Sequence, residues 1–202
     1  MNDAVVLDAD GNPITPDVVL HAYGQRCFPM ADHRRGRLSW YRPARRAVIT
    51  WDRWKVPESL RKRLKSQPYA ISVDRAFPEV VAACAKRSST WISHDIERLY
   101  IALHEQGHGH SVEAWDAGGA LVGGLYGLAI GSCFCGESMF HCADDAAKAC
   151  VVHLVGILRE RGFVVLDCQQ QSPHMQRFGA YEISDEDYAL LLERCAEERR
   201  FP

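Results

Sequence analysis

The sequence predicts an α+β fold in which a largely antiparallel sheet is flanked by helices. Stretches with helical and with strand periodicity occur in mixed order, without the regular alternation that a parallel sheet requires. An apolar region with several glycines, residues 121–140, is long enough for two strands that pair as a meander. With 202 residues, of which 47% are hydrophobic, the chain has enough apolar surface to form a core.

Residues 1–57 are predicted to form a small, irregular N-terminal domain, because prolines interrupt any regular pattern there. These prolines are Pro13, Pro16, Pro29, Pro43 and Pro57. The clear strand candidate in this region is Arg46 to Trp51. Residues 58–202 are expected to form a second, larger domain.

The larger domain is predicted to begin with a short helix. Pro57 is typical of a helix N-terminus, and Leu60 and Leu64 share one apolar side. Alternating residues then predict a strand at 69–75, and apolar residues at helical spacing predict a helix at 77–84.

A longer helix is predicted between Ser93, a favourable N-cap residue, and Gly107, which should end it. Residues 110–116 alternate as a strand, and an Asp-Ala-Gly-Gly turn leads into residues 121–140. This apolar region predicts two strands or one long bent strand.

The last third of the chain predicts a strong helix that Asp144 or Asp145 caps and Gly162 ends. Its apolar residues recur at helical spacing, so one side should face the core. The elements predicted after it are a buried strand at 163–168, a short strand at 180–183 and a final helix capped by Ser184.

Charge is distributed unevenly along the chain. Residues 26–65 contain thirteen Lys or Arg against three acids, although the whole chain has a net charge of -2. Four of these cations are expected on the exposed side of the first helix of the larger domain: Arg61, Lys62, Arg63 and Lys65. Such a surface suits nucleic-acid phosphates, and the alternative is an ordinary solvated face.

The eight cysteines show no C-x-x-C spacing, and most occur in apolar stretches, so we expect reduced, structural thiols. The N-terminus lacks the basic start and apolar run of a secretory signal. The longest apolar stretch is broken by glycines. A cytoplasmic protein without membrane association is therefore expected.

The segment His104 to His108 matches the H-E-x-x-H motif of zinc hydrolases. Zinc binding by this motif requires one continuous helix through both histidines, and Gly107 is unfavourable in a helix interior. A zinc hydrolase is kept as a minor alternative, and no metal site is predicted.

Polar residues interrupt two strongly apolar strands. Glu137 lies within the strand at 134–140, where a carboxylate needs a partner because burying an isolated charge is costly. Asp167 and Gln169 follow Leu166 at a strand end, two residues apart and therefore expected on one face. For each segment a structural hydrogen bond is the alternative to a functional site.

The combination of these segments resembles the leucyl/phenylalanyl-tRNA–protein transferase family. The most specific motifs are Gly-Gly-Leu-Tyr-Gly at 123–127, Gly-Glu-Ser-Met-Phe at 136–140 and Asp-Cys-Gln at 167–169. The likeness covers most of the chain, and the His104 to His108 segment belongs to the family pattern without zinc. The resemblance implies transfer of leucine or phenylalanine, with methionine as a further candidate, from aminoacyl-tRNA to proteins beginning with Arg or Lys, which marks them for degradation.

The same resemblance implies an acyl-CoA N-acyltransferase-like fold, with residues 58–202 as its catalytic domain. It implies that Glu137, Asp167 and Gln169 line the reaction centre. Our hypothesis is that Asp167 orients the amine or the Gln169 amide and assists proton removal, that Gln169 donates to the oxyanion, and that Glu137 binds the aminoacyl α-ammonium or the ribose edge. The resemblance also implies two groups of substrate-binding residues: Trp91 near the terminal adenosine of the tRNA, and Leu125, Phe134, Met139 and Leu166 around the transferred side chain.

No cofactor is expected, because the chain lacks the pyrophosphate-binding loop that coenzyme A would need. The partners expected are the aminoacyl-tRNA and the acceptor protein, and the enzyme is expected to be a monomer. The alternatives are a related transferase with a different acceptor and an RNA-binding module without activity.

Overall fold

The computed structural model of the protein describes residues 6–195 and residue 201. Seven helices and eleven strands occur in these residues. In chain order they are β1 (Val6–Leu7), β2 (Pro13–Ile14), α1 (Pro16–Gly24), β3 (Phe28–Ala31), β4 (Leu38–Tyr41), β5 (Arg45–Thr50), α2 (Glu58–Leu64), β6 (Ala70–Val73), α3 (Phe77–Ala85), α4 (His94–Glu105), β7 (Gly109–Trp115), β8 (Leu121–Ile130), β9 (Cys133–His141), α5 (Ala146–Glu160), β10 (Val165–Gln169), α6 (Pro173–Gln176), β11 (Tyr181–Ser184) and α7 (Asp185–Arg194).

The main element is a seven-stranded mixed sheet with the strand order β11-β5-β10-β9-β8-β7-β6. Neighbouring strands are antiparallel except β9 and β10, which are parallel and are connected through α5. The prediction of an α+β fold with a largely antiparallel sheet flanked by helices is confirmed. This arrangement agrees with the acyltransferase-like sheet that the family resemblance implies.

Helices cover both faces of this sheet. Successive residues of β8 point to opposite faces: Tyr126 packs with α3 and α4, and Leu125 packs with α5. Both strands and helices therefore contribute to two apolar clusters, one on each face. None of the described helices is long and apolar enough to span a membrane.

The N-terminal region is more regular than predicted. Thr15 accepts a hydrogen bond from the Val18 backbone and Pro16 occupies the first turn, so residues 16–24 form α1. The prediction of an irregular segment missed this helix, because prolines spaced along a segment are typical of loops. The strand predicted from Arg46 lies inside the main sheet, between β11 and β10. A domain boundary at residue 57 stays a prediction.

Most other elements lie where the sequence predicts them, with two local differences. Asp145 occupies the N-cap position of α5, but its φ of 63° is left-handed and its carboxylate caps no backbone N–H. Its carboxylate instead contacts the Lys148 ammonium. A short helix, α6, lies within the predicted polar loop after β10, where Ser172 accepts a hydrogen bond from the Met175 backbone.

The sheet is irregular at the point where β9 and β10 separate. Their parallel pairing ends at Asp167 and Cys135, although β9 continues to His141. In the pairing of β8 with β9, Gly127 faces Gly136 and Tyr126 faces Ser138, so Glu137 is an extra, bulged residue. A bulge changes the direction of a side chain, as bulges beside active sites commonly do.

Candidate active site

Glu137 is the centre of a buried hydrogen-bond network. Its Oε1 accepts from the Tyr23 hydroxyl at 2.5 Å and from Gln169 Nε2 at 2.9 Å. Its Oε2 accepts from the Tyr100 hydroxyl at 2.7 Å, and the two tyrosine oxygens are 2.8 Å apart. Side chains from α1, α4 and β10 therefore converge on one carboxylate, which is 9% exposed.

Burial raises the pKa of Glu137 to about 7, and the hydrogen bonds from Tyr23, Tyr100 and Gln169 oppose this effect. Burial also raises the pKa of both tyrosines well above the usual value, so their hydroxyls remain protonated donors. Glu137 can thus gain or lose a proton close to neutral pH, which is a property of groups that act in proton transfer.

Asp167 is fully buried, and both of its carboxylate oxygens have partners. Arg46 Nε lies 3.0 Å from each oxygen, and Arg46 Nη2 lies 2.6 Å from Oδ2. The Tyr188 hydroxyl donates to Oδ2 at 2.7 Å, and the Gln169 backbone N–H donates to Oδ1 at 2.7 Å. This saturation favours an orienting role for Asp167 over direct contact with a substrate amine.

Gln169 ends β10 in a left-handed conformation with φ of 59°. A register shift separates it from Asp167 in the pairing with β5. The Asp167 carboxylate holds the Gln169 backbone N–H, and the Gln169 side chain reaches Glu137. Non-glycine residues in this conformation are uncommon and often occur at functional sites.

A cavity of about 310 Å³ lies beside this network. Its wall includes Glu137 and four of the residues that the resemblance assigns to substrate binding, namely Trp91, Leu125, Met139 and Leu166. Phe134 is the exception: it is fully buried on the α5 face, with its ring 5.4 Å from the ring of Phe201. The structure therefore brings together all three predicted reaction-centre residues and four of the five predicted substrate contacts.

Several residues of the network were not found from the sequence. They are Tyr23, Arg46, Tyr100 and Tyr188, which contact Glu137 or Asp167, and Arg87, which lines the cavity. Each of the four network residues lies at least twenty positions from its partner. Arg46 is one of many arginines in residues 26–65, and the sequence does not distinguish it from the exposed ones.

The predicted basic surface is formed by α2. Arg61, Lys62, Arg63 and Lys65 are all exposed or partly exposed at its surface, and Leu60 is buried beneath them. Arg61 pairs with Glu58 at 3.0 Å and Arg63 lies 3.6 Å from Asp145. These exposed pairs are weak, so the cations remain accessible to a ligand.

The H-E-x-x-H segment does not form a zinc site. Helix α4 ends at Glu105 and Gly107 adopts a φ of 81°, so His104 and His108 do not lie on one helix. His104 Nδ1 bonds the Gly109 carbonyl at 2.7 Å, and its ring stacks on Phe77. The minor zinc-hydrolase alternative therefore lacks its ligand geometry.

Within the described residues, one group is compact enough to share a metal: Cys133, Cys135 and Asp167, whose ligand atoms lie within 4.8 Å of one another. All three side chains are buried. Because the Asp167 oxygens already bond Arg46 and Tyr188, this group belongs to the packing beneath the network.

Two sequence-family models match the chain. The model described as leucyl/phenylalanyl-tRNA protein transferase matches residues 48–193, and the model of the N-terminal domain of the same proteins matches residues 12–44. The first model alone covers more than half of the chain.

Relatives named leucyl/phenylalanyl-tRNA–protein transferase are similar over most of the chain. The protein of Akkermansia muciniphila is 48% identical over 190 residues, covering 92% of this chain and 98% of the relative. The protein of Rubrobacter xylanophilus is 47% identical, covering 90% and 98%. The protein of Rhizorhabdus wittichii is 45% identical, covering 89% and 74%.

Solved structures show more distant similarity. L-PGS from Bacillus licheniformis is 13% identical with a TM-score of 0.48, covering 77% of this chain and 66% of that chain. A tandem GNAT protein from the clavulanic acid biosynthesis pathway is 14% identical with a TM-score of 0.40, covering 89% and 60%.

Proposed function

Because the chain belongs to the leucyl/phenylalanyl-tRNA protein transferase family and is therefore an enzyme, we propose that it moves leucine or phenylalanine from aminoacyl-tRNA to the N-terminal α-amine of a protein. Proteins that begin with Arg or Lys are the proposed acceptors, and the added residue marks them for degradation. Methionine is a further donor.

The observation that carries this proposal is the Glu137 network at the wall of an apolar cavity. Aminolysis of an ester needs little more than alignment of the amine with the carbonyl carbon and donors for the developing oxyanion. The cavity has room for an apolar side chain, and the Glu137 carboxylate lies in its wall. The Gln169 amide is bonded to that carboxylate. These features support the proposal.

In the proposed reaction the α-amine nitrogen of the acceptor attacks the ester carbonyl carbon of the donor. A C–N bond forms and the bond from the carbonyl carbon to the ribose oxygen breaks. The proton that the amine loses ends on the ribose oxygen, which leaves as a hydroxyl. An α-amine has a pKa of about 7.7–8.0, so part of it is already neutral at pH 7.

We assign Gln169 to the oxyanion. One hydrogen of its amide is donated to Glu137, which lines the cavity. In the proposed reaction the second hydrogen is donated to the oxyanion. Asp167 is a positioning residue, because it fixes the backbone of Gln169 while its own oxygens are occupied by Arg46 and Tyr188. Amide donors aimed at an oxyanion contribute strongly to acyl transfer.

Glu137 is assigned to the donor's α-ammonium group. Its ionised form is an acceptor held by three hydrogen bonds, so it needs no reorganisation when a cation binds. Because burial raises its pKa to about 7, Glu137 is partly protonated at neutral pH, and the positive charge of a bound ammonium would favour the ionised carboxylate.

The donor side chain is assigned to the apolar part of the cavity. Leu125, Met139 and Leu166 line it and carry no charge. A charged side chain packed against these three residues would lose its hydration without gaining a partner from them, which is costly. Leucine, phenylalanine and methionine fit this chemistry, and arginine and aspartate do not.

The experiment incubates the purified protein with tRNA charged with labelled leucine, phenylalanine, methionine or arginine. Each donor is combined with peptides that differ only at the first residue, which is Arg, Lys, Asp or Leu. Transfer of the three apolar amino acids to the Arg and Lys peptides is expected. Preferred transfer to another peptide would favour the related transferase with a different acceptor, and binding of tRNA without transfer would favour the inactive RNA-binding module.

A further inference from the structure

A second cavity of about 420 Å³ adjoins the first. The two share Arg87, Met139 and Ser172, so they form one continuous depression. The second cavity differs in that its wall adds Lys148 and two histidines to the shared Arg87. Its remaining wall residues are His141, Asp145, Ala147, Lys148 and His174.

This second cavity continues toward the basic helix α2. A smaller depression of about 30 Å³ shares Asp145, Lys148 and His174 with it and reaches Ser59 and Leu60 at the start of α2. A single trough therefore leads from Glu137, through the second cavity, to the helix that carries the predicted RNA-binding cations.

The charged side chains in the wall of the second cavity have a net positive charge. Arg87 and Lys148 line it, and among the described residues Asp145 is the one acid in its wall. That acid is offset by its contact with Lys148 and by Arg63, whose Nε lies 3.6 Å from Asp145 Oδ2. The pKa of His174 is lowered first by burial and then by the nearby cations Lys148 and Arg177, which agrees with a positive surround.

His174 also presents an unused hydrogen-bonding atom. Its Nε2 is buried and has no hydrogen-bond partner among the described residues. Buried polar atoms are nearly always paired, so this exception, in a residue of the cavity wall, indicates a place for a ligand atom. In the tautomer that carries the proton on Nε2, the ring can donate a hydrogen bond to an oxygen of an anion.

We propose that the second cavity binds the phosphodiester that precedes the aminoacylated nucleoside of the donor RNA, with Arg87, Lys148 and His174 contacting its oxygens. This inference rests on the proposed function, which places the aminoacyl group in the first cavity. The RNA chain then leaves the first cavity through the second and reaches α2, where further phosphates meet its cations. The alternative occupant of this cavity is the Arg or Lys side chain of the acceptor, and its binding is disfavoured by the positive charges in the wall.

The test compares two stable donor analogues. One is 3′-amino-3′-deoxyadenosine carrying phenylalanine through an amide, and the other is the same compound with cytidine joined through a 5′ phosphodiester. Calorimetry measures the Kd of each. The wild-type protein should bind the dinucleotide about tenfold or more tightly, because charge-assisted hydrogen bonds to one phosphate supply that difference. This gain in affinity from the phosphodiester should decrease as the salt concentration is raised.

Three variants locate the phosphate. Lys148→Gln and His174→Phe should each remove most of the gain from the phosphodiester and leave the Kd of the mononucleoside analogue unchanged. Arg161→Gln is the matched control, since it removes an exposed charge just beyond the other end of α5, and it should keep the full gain. Asp145→Asn should increase the gain, and asparagine tolerates the left-handed backbone at this position.

Two results would overturn the inference while the proposed function stands. The first is transfer from aminoacyl-tRNA by a wild-type protein that binds both analogues equally. The second is an Asp145→Asn variant in which the KM for an Arg peptide rises and the gain from the phosphodiester stays the same, since this would assign the cavity to the acceptor side chain. If the wild-type protein transfers no amino acid from any charged tRNA, the proposed function and this inference both fail.

Discussion

Arg46 and Asp167 form a buried ion pair in which Arg46 Nη2 lies 2.6 Å from Asp167 Oδ2. The guanidinium group lies between the rings of Phe28 and Tyr188, at 4.9 Å and 4.7 Å from their centroids. The side chains of the pair are 2% and 0% exposed. Through the Asp167 carboxylate, this pair fixes the backbone of Gln169, whose side chain bonds Glu137.

Removal of either member of this pair should destabilise the protein strongly. Asp167→Leu and Arg46→Met should each lower the free energy of unfolding by about 3–5 kcal/mol, because each leaves an uncompensated buried charge. The double variant should lose much less than the sum of the two, since no charge remains. Urea denaturation measures all three variants.

The control for this cycle is the neighbouring residue on β5. Arg45 pairs with Glu182 at 3.3 Å, but the two side chains are 61% and 40% exposed. Arg45→Met should cost less than about 1 kcal/mol. Equal losses for Arg45→Met and Arg46→Met would contradict the assigned importance of burial.

The amide of Gln169 should act on the rate and not on donor binding. Gln169→Ala is expected to lower kcat by about tenfold or more, because one oxyanion donor is removed. Gln169→Gly should lower kcat equally while being more stable, since glycine adopts a φ of 59° without strain. Single-turnover kinetics and thermal unfolding separate the two effects. Normal rates in both variants would remove Gln169 from the mechanism.

The rate of transfer should depend on the ionisation of Glu137. As pH rises through about 7, Glu137 loses its proton and the acceptor amine becomes neutral, so kcat/KM should rise more steeply than the amine alone would cause. In Glu137→Gln the remaining rise should follow the amine. Profiles between pH 5.5 and 8.5 test this, and two profiles of the same shape would argue against the assignment.

The same group should make stability depend on pH in a defined direction. Its pKa is about 7 in the folded protein and near its usual value of 4.5 in the unfolded chain. Between these values the folded protein binds more protons, so the free energy of unfolding contributed by this group falls as pH rises from about 4.5 to about 7. Glu137→Gln should remove that part of the decline, as urea titrations at several pH values would show.

The preference between leucine and phenylalanine should change when Leu125 is substituted and stay the same when Phe134 is substituted. Leu125→Phe narrows the cavity and should depress phenylalanine transfer more than leucine transfer, because an apolar pocket discriminates by about 1–3 kcal/mol per methylene. Phe134→Leu should lower stability and leave the preference unchanged, since Phe134 is fully buried and does not line the cavity, although it shares the α5 face with Leu125. Competition between the two charged tRNAs measures the ratio.

Binding of tRNA should depend on the cations of α2. Charge reversal at Arg61, Lys62, Arg63 and Lys65 should reduce the slope of log K against log salt by about one for each RNA phosphate that the variant no longer neutralises. Reversal of Arg159 and Arg161, at the far end of α5, should leave the slope unchanged. If both sets of variants behaved alike, the RNA would have to bind elsewhere.

The sequence alone determined the fold class and most element positions, and it singled out Glu137, Asp167 and Gln169, which form the proposed reaction centre. Local periodicity accounts for the helices and strands, and Ser93 and Ser184 cap helices as predicted. Glu137 could be found because an acid in an apolar strand is costly and therefore informative. The family resemblance added the activity, because its motifs are short, ordered and specific.

Tertiary structure alone decided how those residues are held. Arg46 and Asp167 are 121 positions apart, and Tyr23 and Glu137 are 114 apart, so no local pattern reports either pair. The bulge at Glu137 aims its carboxylate at the two tyrosines, and Phe134 on the same strand faces the opposite layer. A buried charge is stable only with its partners, and long-range folding chooses those partners. The chemistry at this site therefore depends on contacts that the order of residues does not display.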